Sequence, residues 1–352
     1  MIKAAVLTSP FRISLQEFEI PKIKANEALL KPLAVGICGT DVAAYQGKFI
    51  KWKLPLIMGH EIIGEILEIG NEASDIYDIN EGDRVIVEPY ISCGVCEYCS
   101  SGYYQLCKKQ RSYGGISCSI PPYLWGGYSE CMYIAPGSHL HKVPSGVDII
   151  SGAMSNVMSN AIRWVVTKGH VSLCDTIVIL GPGVQGLLSV VVAKEVGAEK
   201  VILAGLSEDY KRLELGKELG ADFIINVDEE DIVKSVYEIT QGKMADVVIV
   251  CAPSISAIES AFKLVKRLGR IVIISNTEGR QAKFVPDDIV WNEIEIYGGL
   301  GQSRVDLAIK LIQKYQTKIK KIITNVFELS NIKEAFEVAT KKRDVIKVVI
   351  KI

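Results

Sequence analysis

The chain has 352 residues, of which 49% are hydrophobic and 23% charged, and its formal net charge is −1. It is too apolar to be disordered and long enough for two domains with separate cores. Near-neutral charge without a basic run excludes an electrostatic partner such as nucleic acid, and acidic residues are not gathered in a tail.

The apolar start, Met1-Ile2-Lys3-Ala4-Ala5-Val6-Leu7, breaks at Thr8-Ser9-Pro10 and is too short for a secretion signal, so a cytoplasmic protein is expected. Residues 1 to about 150 carry short alternating runs punctuated by Gly and Pro, such as 4–7, 27–32 and 82–87, which predict an irregular, mostly antiparallel β domain. From 156 onward strand-like runs at 176–180, 200–204, 223–226, 246–250, 270–274 and 294–297 alternate with helical periods. Gly197, Gly220, Gly242 and Gly269 fit the positions just past helix ends. This alternation implies a parallel sheet covered on both faces. Residues 176–193 approach the length of a membrane span, but Gly181-Pro182-Gly183 in their middle predicts a strand, a turn and a helix instead. After 297, helical stretches at 305–315 and 332–340 and a strand at 345–352 are expected to rejoin the first domain. The fold class is therefore α/β plus β, with domains at 1–155 with 297–352 and at 156–296.

Four of the nine cysteines lie in one loop, Cys93-x2-Cys96-x2-Cys99-x7-Cys107. Thiolates at such spacings wrap a tetrahedral zinc, and four of them leave no open position, so this metal would fold the loop. An iron–sulfur centre is the chemical rival, with nothing else pointing to electron transfer. Gly36-Ile37-Cys38-Gly39-Thr40-Asp41 and Gly59-His60-Glu61-Ile62-Ile63-Gly64 place a thiolate and an imidazole among glycines. Each alone also reads as a small core cysteine or a core histidine. Gly181-Pro182-Gly183-Val184-Gln185-Gly186 follows a predicted strand and opens an apolar helix, the context that a dinucleotide fingerprint requires.

Taken together with Gly126-Gly127-Tyr128-Ser129-Glu130 and the C-terminal segment, these motifs resemble the zinc-containing medium-chain alcohol dehydrogenase family over nearly the full length. The texture is closest to its sorbitol- and threonine-dehydrogenase branch. The resemblance implies a GroES-like catalytic domain, a Rossmann domain with a doubly wound six-stranded parallel sheet, and a catalytic zinc in a cleft between them. It implies an NAD- or NADP-dependent alcohol or polyol dehydrogenase, a homo-tetramer or homo-dimer, with no nucleic-acid or membrane partner. Carried over, Cys38 and His60 become zinc ligands, Thr40 the hydroxyl that takes the substrate proton, and Asp41 the carboxylate that orients His60. The family commonly supplies a further Glu, Asp or Cys where this chain has Asn156, a much weaker ligand. Glu61 is the substitute, as in the polyol branch, with water completing the set and Asn156 beside it.

For the cofactor, Gly181, Gly183 and Gly186 allow a tight turn, close approach of the pyrophosphate and close helix packing, with Val184 and Gln185 at the helix start. The acid expected about twenty residues on, at the end of the second strand, is missing. Gly205-Leu206-Ser207 stands there, so Ser207, Lys211 and Arg212 suit NADP, whereas Asp209 suits NAD; absence of an intact basic clamp tips the expectation to NAD. The resemblance places Ser275 and Leu300-Gly301-Gln302 along the nicotinamide. His139 and His141 alternate on a strand end, His170 ends a helix, and Arg163 reads as a charge on a solvated helix face. Tyr45 and Trp52 read equally as pocket walls or as core, and Phe49, Tyr113 and Trp125 read more as core or interface residues than as walls. Two rival functions are a dinucleotide-binding protein with structural zinc only and a zinc-independent reductase of activated alkenes.

Overall fold

The computed structural model describes residues 1–49, 51–301, 304–340 and 344–352. The chain forms two compact units, Met1–Asn156 with Val305–Ile352, and Val157–Arg304.

In the first unit, alternating runs pair into a seven-stranded sheet in the order Leu140–Lys142, Arg84–Val87, Glu61–Ile69, Ala28–Gly36, Lys347–Lys351 and Ile323–Glu328, with Met132–Ile134 also paired to Ala28–Gly36. All its pairings are antiparallel except that of Ile323–Glu328 with Lys347–Lys351. A smaller sheet joins Ile2–Ser9 to Arg12–Phe18 and Leu56–Ile57. Alanine, valine, leucine and isoleucine from these strands meet Tyr128 and Phe336 in one buried core. The C-terminal strand sets Val349 opposite Gly36 and Ile350 opposite Val35, so chain separated by more than 300 positions borders the cysteine motif that leaves Gly36.

In the second unit six strands run parallel in the order Phe223–Asn226, Lys200–Gly205, Thr176–Leu180, Ala245–Val250, Val265–Ile273 and Glu295–Gly298. Counted within the unit, that is the doubly wound 3-2-1-4-5-6 order, whose direction of winding reverses at the first strand and opens a ligand crevice at the strands' carboxyl ends. Val178, Ile202, Val248 and Ile271 are wholly buried, as strands covered on both faces require. Residues 176–193 form strand Thr176–Leu180, a turn and part of helix Val184–Glu195. Among the described residues no helix is long and apolar enough to cross a membrane.

Two local expectations fail. Gly269 does not end a helix: it lies inside strand Val265–Ile273, and Leu268 takes the left-handed conformation at φ 59° where the ladder shifts register. Arg163 is not on a solvated face. Residues 151–165 are buried except for the half-buried Asn160, so this stretch has no solvated side, and Arg163 is 5% exposed.

Candidate metal and dinucleotide sites

The cysteine motif leaves strand Ala28–Gly36 and turns at once into helix Gly39–Tyr45, with Cys38 capping it in extended conformation. Asp41, in the first turn of that helix, folds back so that its Oδ2 accepts the Cys38 amide at 3.0 Å. The same oxygen lies 3.0 Å from the Tyr128 hydroxyl. Asp41 is fully buried, and its Oδ1 stands 3.4 Å from His60 Nδ1, an ionic contact without hydrogen-bond geometry. Burial works against both charges, but the Asp41 and Cys38 charges outweigh it and hold His60 well above its usual pKa. Burial likewise opposes the Asp41 charge; His60 overcomes it and lowers the carboxyl. The cluster thus favours a cation at this position.

Cys38 Sγ, one ring nitrogen of His60 and one carboxylate oxygen of Glu61 all lie within 4.8 Å of one another. The Cys38 thiol reaches the Thr40 hydroxyl at 3.8 Å. Glu61 opens the strand Glu61–Ile69 and its Oε2 pairs with Lys347 Nζ, with both residues buried. Lys347 also donates to the Ile37 carbonyl at 2.9 Å. Nothing in the sequence motifs points to Lys347: it stands 286 residues from Glu61 and meets it only because the last strand docks beside Gly36. A Cβ at Gly36 would run into Glu61 Oε2 and lie 2.9 Å from Lys347 Cε, which explains the glycine by close approach. Asn156 is buried, and its Nδ2 donates to the carbonyls of His60 at 3.1 Å and Val87 at 3.0 Å. Its amide therefore braces the backbone beneath the imidazole.

Among the aromatic candidates, Trp52 meets His60 edge-on with ring centroids 6.1 Å apart, and Phe49 packs on Trp52 at 5.0 Å. Ile50, between them, lies outside the described residues. Tyr45 is core, packed between Phe11 and Phe336. Tyr113 and Trp125 are also buried, bonded to Ser138 and to the Ile120 carbonyl.

In the four-cysteine loop all four sulfurs fall within 4.8 Å. A thiolate tetrahedron with bonds of ~2.3 Å has edges of about 3.8 Å. The Cys96–Cys99 and Cys93–Cys99 separations of 3.5 and 4.0 Å bracket that edge and exceed any disulfide bond. Amides of Cys93 and Lys109 donate to Cys107 Sγ, and backbone donors at Lys108 and then Cys99 pull the Cys96 thiol down to about 6. The donor set suits a soft cation. His139 Nε2 meets Ser92 Oγ at 3.1 Å and His141 Nε2 meets Glu88 Oε1 at 2.6 Å. His170, at φ 46°, follows the end of the helical run Arg163–Lys168.

In the second unit, Gly181 has φ 107° and a Cβ there would fall 2.7 Å from the Ala252 amide, while one on Gly186 would collide with the Gly181 carbonyl. Gly183 differs: open space lies where its Cβ would go, at the N-cap of helix Val184–Glu195. Such a helix start, with room for a close approach at its N-cap, suits an anion. The helix begins at Val184, and Gln185 accepts a hydrogen bond from Trp164 Nε1 at 3.1 Å. Ser275, just past strand Val265–Ile273, has a buried Oγ without a hydrogen-bond partner among the described residues, a group that fits a polar ligand. Leu300 is half exposed, and Gln302 lies outside the described residues. Ser207 sits in the turn after strand Lys200–Gly205; Lys211 and Arg212 open helix Tyr210–Leu219, with Arg212 Nη1 on Asp209 Oδ1 at 3.0 Å.

Residues 24–145 match the family model described as alcohol dehydrogenase GroES-like domain, and residues 185–317 match that of zinc-binding dehydrogenase. The chain is 32% identical over 340 residues to a sorbitol dehydrogenase of Halalkalibacterium halodurans, covering 96% of this chain and 95% of that one. An alcohol dehydrogenase structure from Thermotoga maritima superposes with a TM-score of 0.92 at 27% identity, over 99% of both chains. A Sinorhizobium meliloti 1021 protein bound to NADP superposes with a TM-score of 0.89 at 28% identity, over 100% of this chain and 99% of that one. With both models matched in chain order and such a relative spanning nearly the whole length, the chain belongs to the zinc-binding alcohol dehydrogenase family and is an oxidoreductase.

Proposed function

We propose that this protein oxidises a secondary alcohol or polyol at a zinc held by Cys38, His60 and Glu61 with water, using NAD or NADP. The observation that carries the reading is the convergence of a thiol, an imidazole and a carboxylate within 4.8 Å, beside the Thr40 hydroxyl. A zinc held there would supply Lewis acidity that lowers an alcohol's pKa, and a bound nicotinamide dinucleotide would supply the hydride acceptor. The chain does the positioning. Asp41, fixed by the Cys38 amide and Tyr128, orients His60. Lys347 holds the Glu61 carboxylate through Oε2 and would fix its orientation toward a metal. Thr40 takes the alcohol proton and passes it outward. Trp52 supplies an apolar wall.

The four-cysteine loop would hold a second, structural zinc, since four thiolates leave no site for substrate. The first unit is read as the catalytic domain and the second as the dinucleotide domain, with Gly181, Gly183, Val184 and Gly186 at the pyrophosphate and Ser275 and Leu300 near the nicotinamide. Phe284, Val285, Val290 and Trp291 are exposed in the segment that precedes the edge strand Glu295–Gly298 in the chain, and Ile296 within it, with Trp291 at 80%. These exposed apolar side chains, with a sheet edge left unpaired among the described residues, support a homo-dimer or homo-tetramer. A cytoplasmic setting suits the nine free cysteines.

The testing experiment is a screen of alcohols and sugar alcohols with NAD and NADP side by side, with metal content measured on the same preparation. Oxidation of at least one polyol or secondary alcohol, with two zinc ions per chain, is the expected result. One zinc per chain and no oxidation would favour a binding protein with structural zinc only. Chelation that strips the cysteine loop is expected to lower Tm as well as activity, because metal binding there is folding free energy; an unchanged Tm on complete zinc loss would remove the structural role.

A further inference from the structure

The second strand of the parallel sheet, Lys200–Gly205, ends without the carboxylate that usually receives the adenosine ribose. We propose that Asp228, arriving from the third strand, replaces it and, together with Asp209, makes this enzyme select NAD over NADP. This rests on the dinucleotide reading above.

Location comes first. A Cβ on Gly205 would lie 2.8 Å from Pro182 Cγ, so the turn that starts at Leu206 borders the glycine-rich turn, where this sheet order holds the adenosine ribose. Two backbone donors begin that turn, and a carboxylate occupies each. Ser207 N–H donates to Asp228 Oδ2 at 2.8 Å, and Leu206 N–H donates to Asp209 Oδ2 at 3.3 Å. Asp228 is held in place by Asn226, the last residue of strand Phe223–Asn226. The Asn226 side chain accepts the Asp228 amide at 3.2 Å and exchanges hydrogen bonds with Ser207 Oγ at 3.0 and 3.2 Å. The guanidinium of Arg212 is engaged by Asp209 Oδ1.

A 2′-phosphate needs N–H donors and a cation. It would bring a charge of roughly −1.5 to −2 to a turn where the Leu206 and Ser207 amides and the Arg212 guanidinium already face carboxylates. Like charges set together repel, which disfavours the phosphorylated ribose. A ribose 2′-hydroxyl has the opposite requirement, because it can donate its proton to a carboxylate. The sheet therefore supplies from its third strand the acid that its second strand lacks.

Titration of the whole enzyme with NADH and with NADPH, read by nicotinamide fluorescence, tests this without depending on turnover. The unmodified protein is expected to bind NADH about 100-fold more tightly, and Asp228→Asn to narrow that ratio about tenfold, which corresponds to about 1.4 kcal/mol. Asparagine keeps an oxygen to accept the Ser207 amide, so the turn itself is retained. Adding Asp209→Asn should narrow the ratio further. Equal affinities in the unmodified protein, a preference for NADPH, or an unmoved ratio in Asp228→Asn would overturn the assignment while leaving the dinucleotide site intact. Binding of neither dinucleotide would instead defeat the dinucleotide reading, and this inference with it.

Discussion

Replacing Cys38 with serine should lower turnover on the order of a thousandfold or more, while NADH affinity stays within a few-fold of the unmodified enzyme. Lewis-acid stabilisation is worth several kcal/mol, and each ~1.4 kcal/mol is a factor of ten. Serine removes the thiolate, the softest of the three donors brought together with His60 and Glu61, and offers a hydroxyl that is a poor zinc ligand. The local backbone has no reason to change. The amide of residue 38 still bonds Asp41, and Asp41 still meets the Tyr128 hydroxyl. The glycine-rich turn belongs to the other compact unit, so dinucleotide affinity provides an internal control for folding. Zinc content should fall from two ions per chain to one. A variant that retains wild-type turnover would remove Cys38 from the chemistry.

The second large effect is expected at Lys347. Changing it to methionine strands Glu61 as a carboxylate that is 5% exposed and has lost its ammonium partner. Breaking a buried pair from one side costs about 3–5 kcal/mol, because the remaining charge is uncompensated. The loss of Tm should be larger in zinc-depleted protein than in zinc-replete protein, because a bound cation replaces part of the missing charge. The double change Lys347→Met with Glu61→Gln should recover most of the stability, since the buried charge is then gone, but not the activity. Thermal melts of the two single variants and the double variant, with and without added zinc, give the coupling directly. If Lys347→Met melts like the unmodified enzyme under both conditions, the pair contributes nothing to the site.

The comparison of sequence with structure turns on how far apart the relevant residues lie in the chain. Short-range chemistry was legible. Cysteines at spacings of three, three and eight positions point to a metal loop because one loop suffices to surround an ion, and the structure gathers all four sulfurs. The strand, glycine turn and helix at 176–195 were equally readable, because glycine requirements and apolar periodicity are local properties. Cys38, His60 and Glu61 needed the family pattern, since two separated motifs had to be joined, but the glycines around them marked both.

What the tertiary structure alone decided are the pairings that no spacing encodes. Lys347 reaches Glu61 because the terminal strand docks beside Ala28–Gly36, and Asp228 reaches Ser207 because neighbouring parallel strands deliver their carboxyl-end loops to one rim. Arg163 escaped prediction for the same kind of reason. Whether a helix has a wet face depends on what surrounds it, and residues on every side bury this one. Sequence determines which side chains can bind a cation or accept a proton. Which of them end up a hydrogen bond apart depends on sheet order and register, and these are set by the packing of many distant residues.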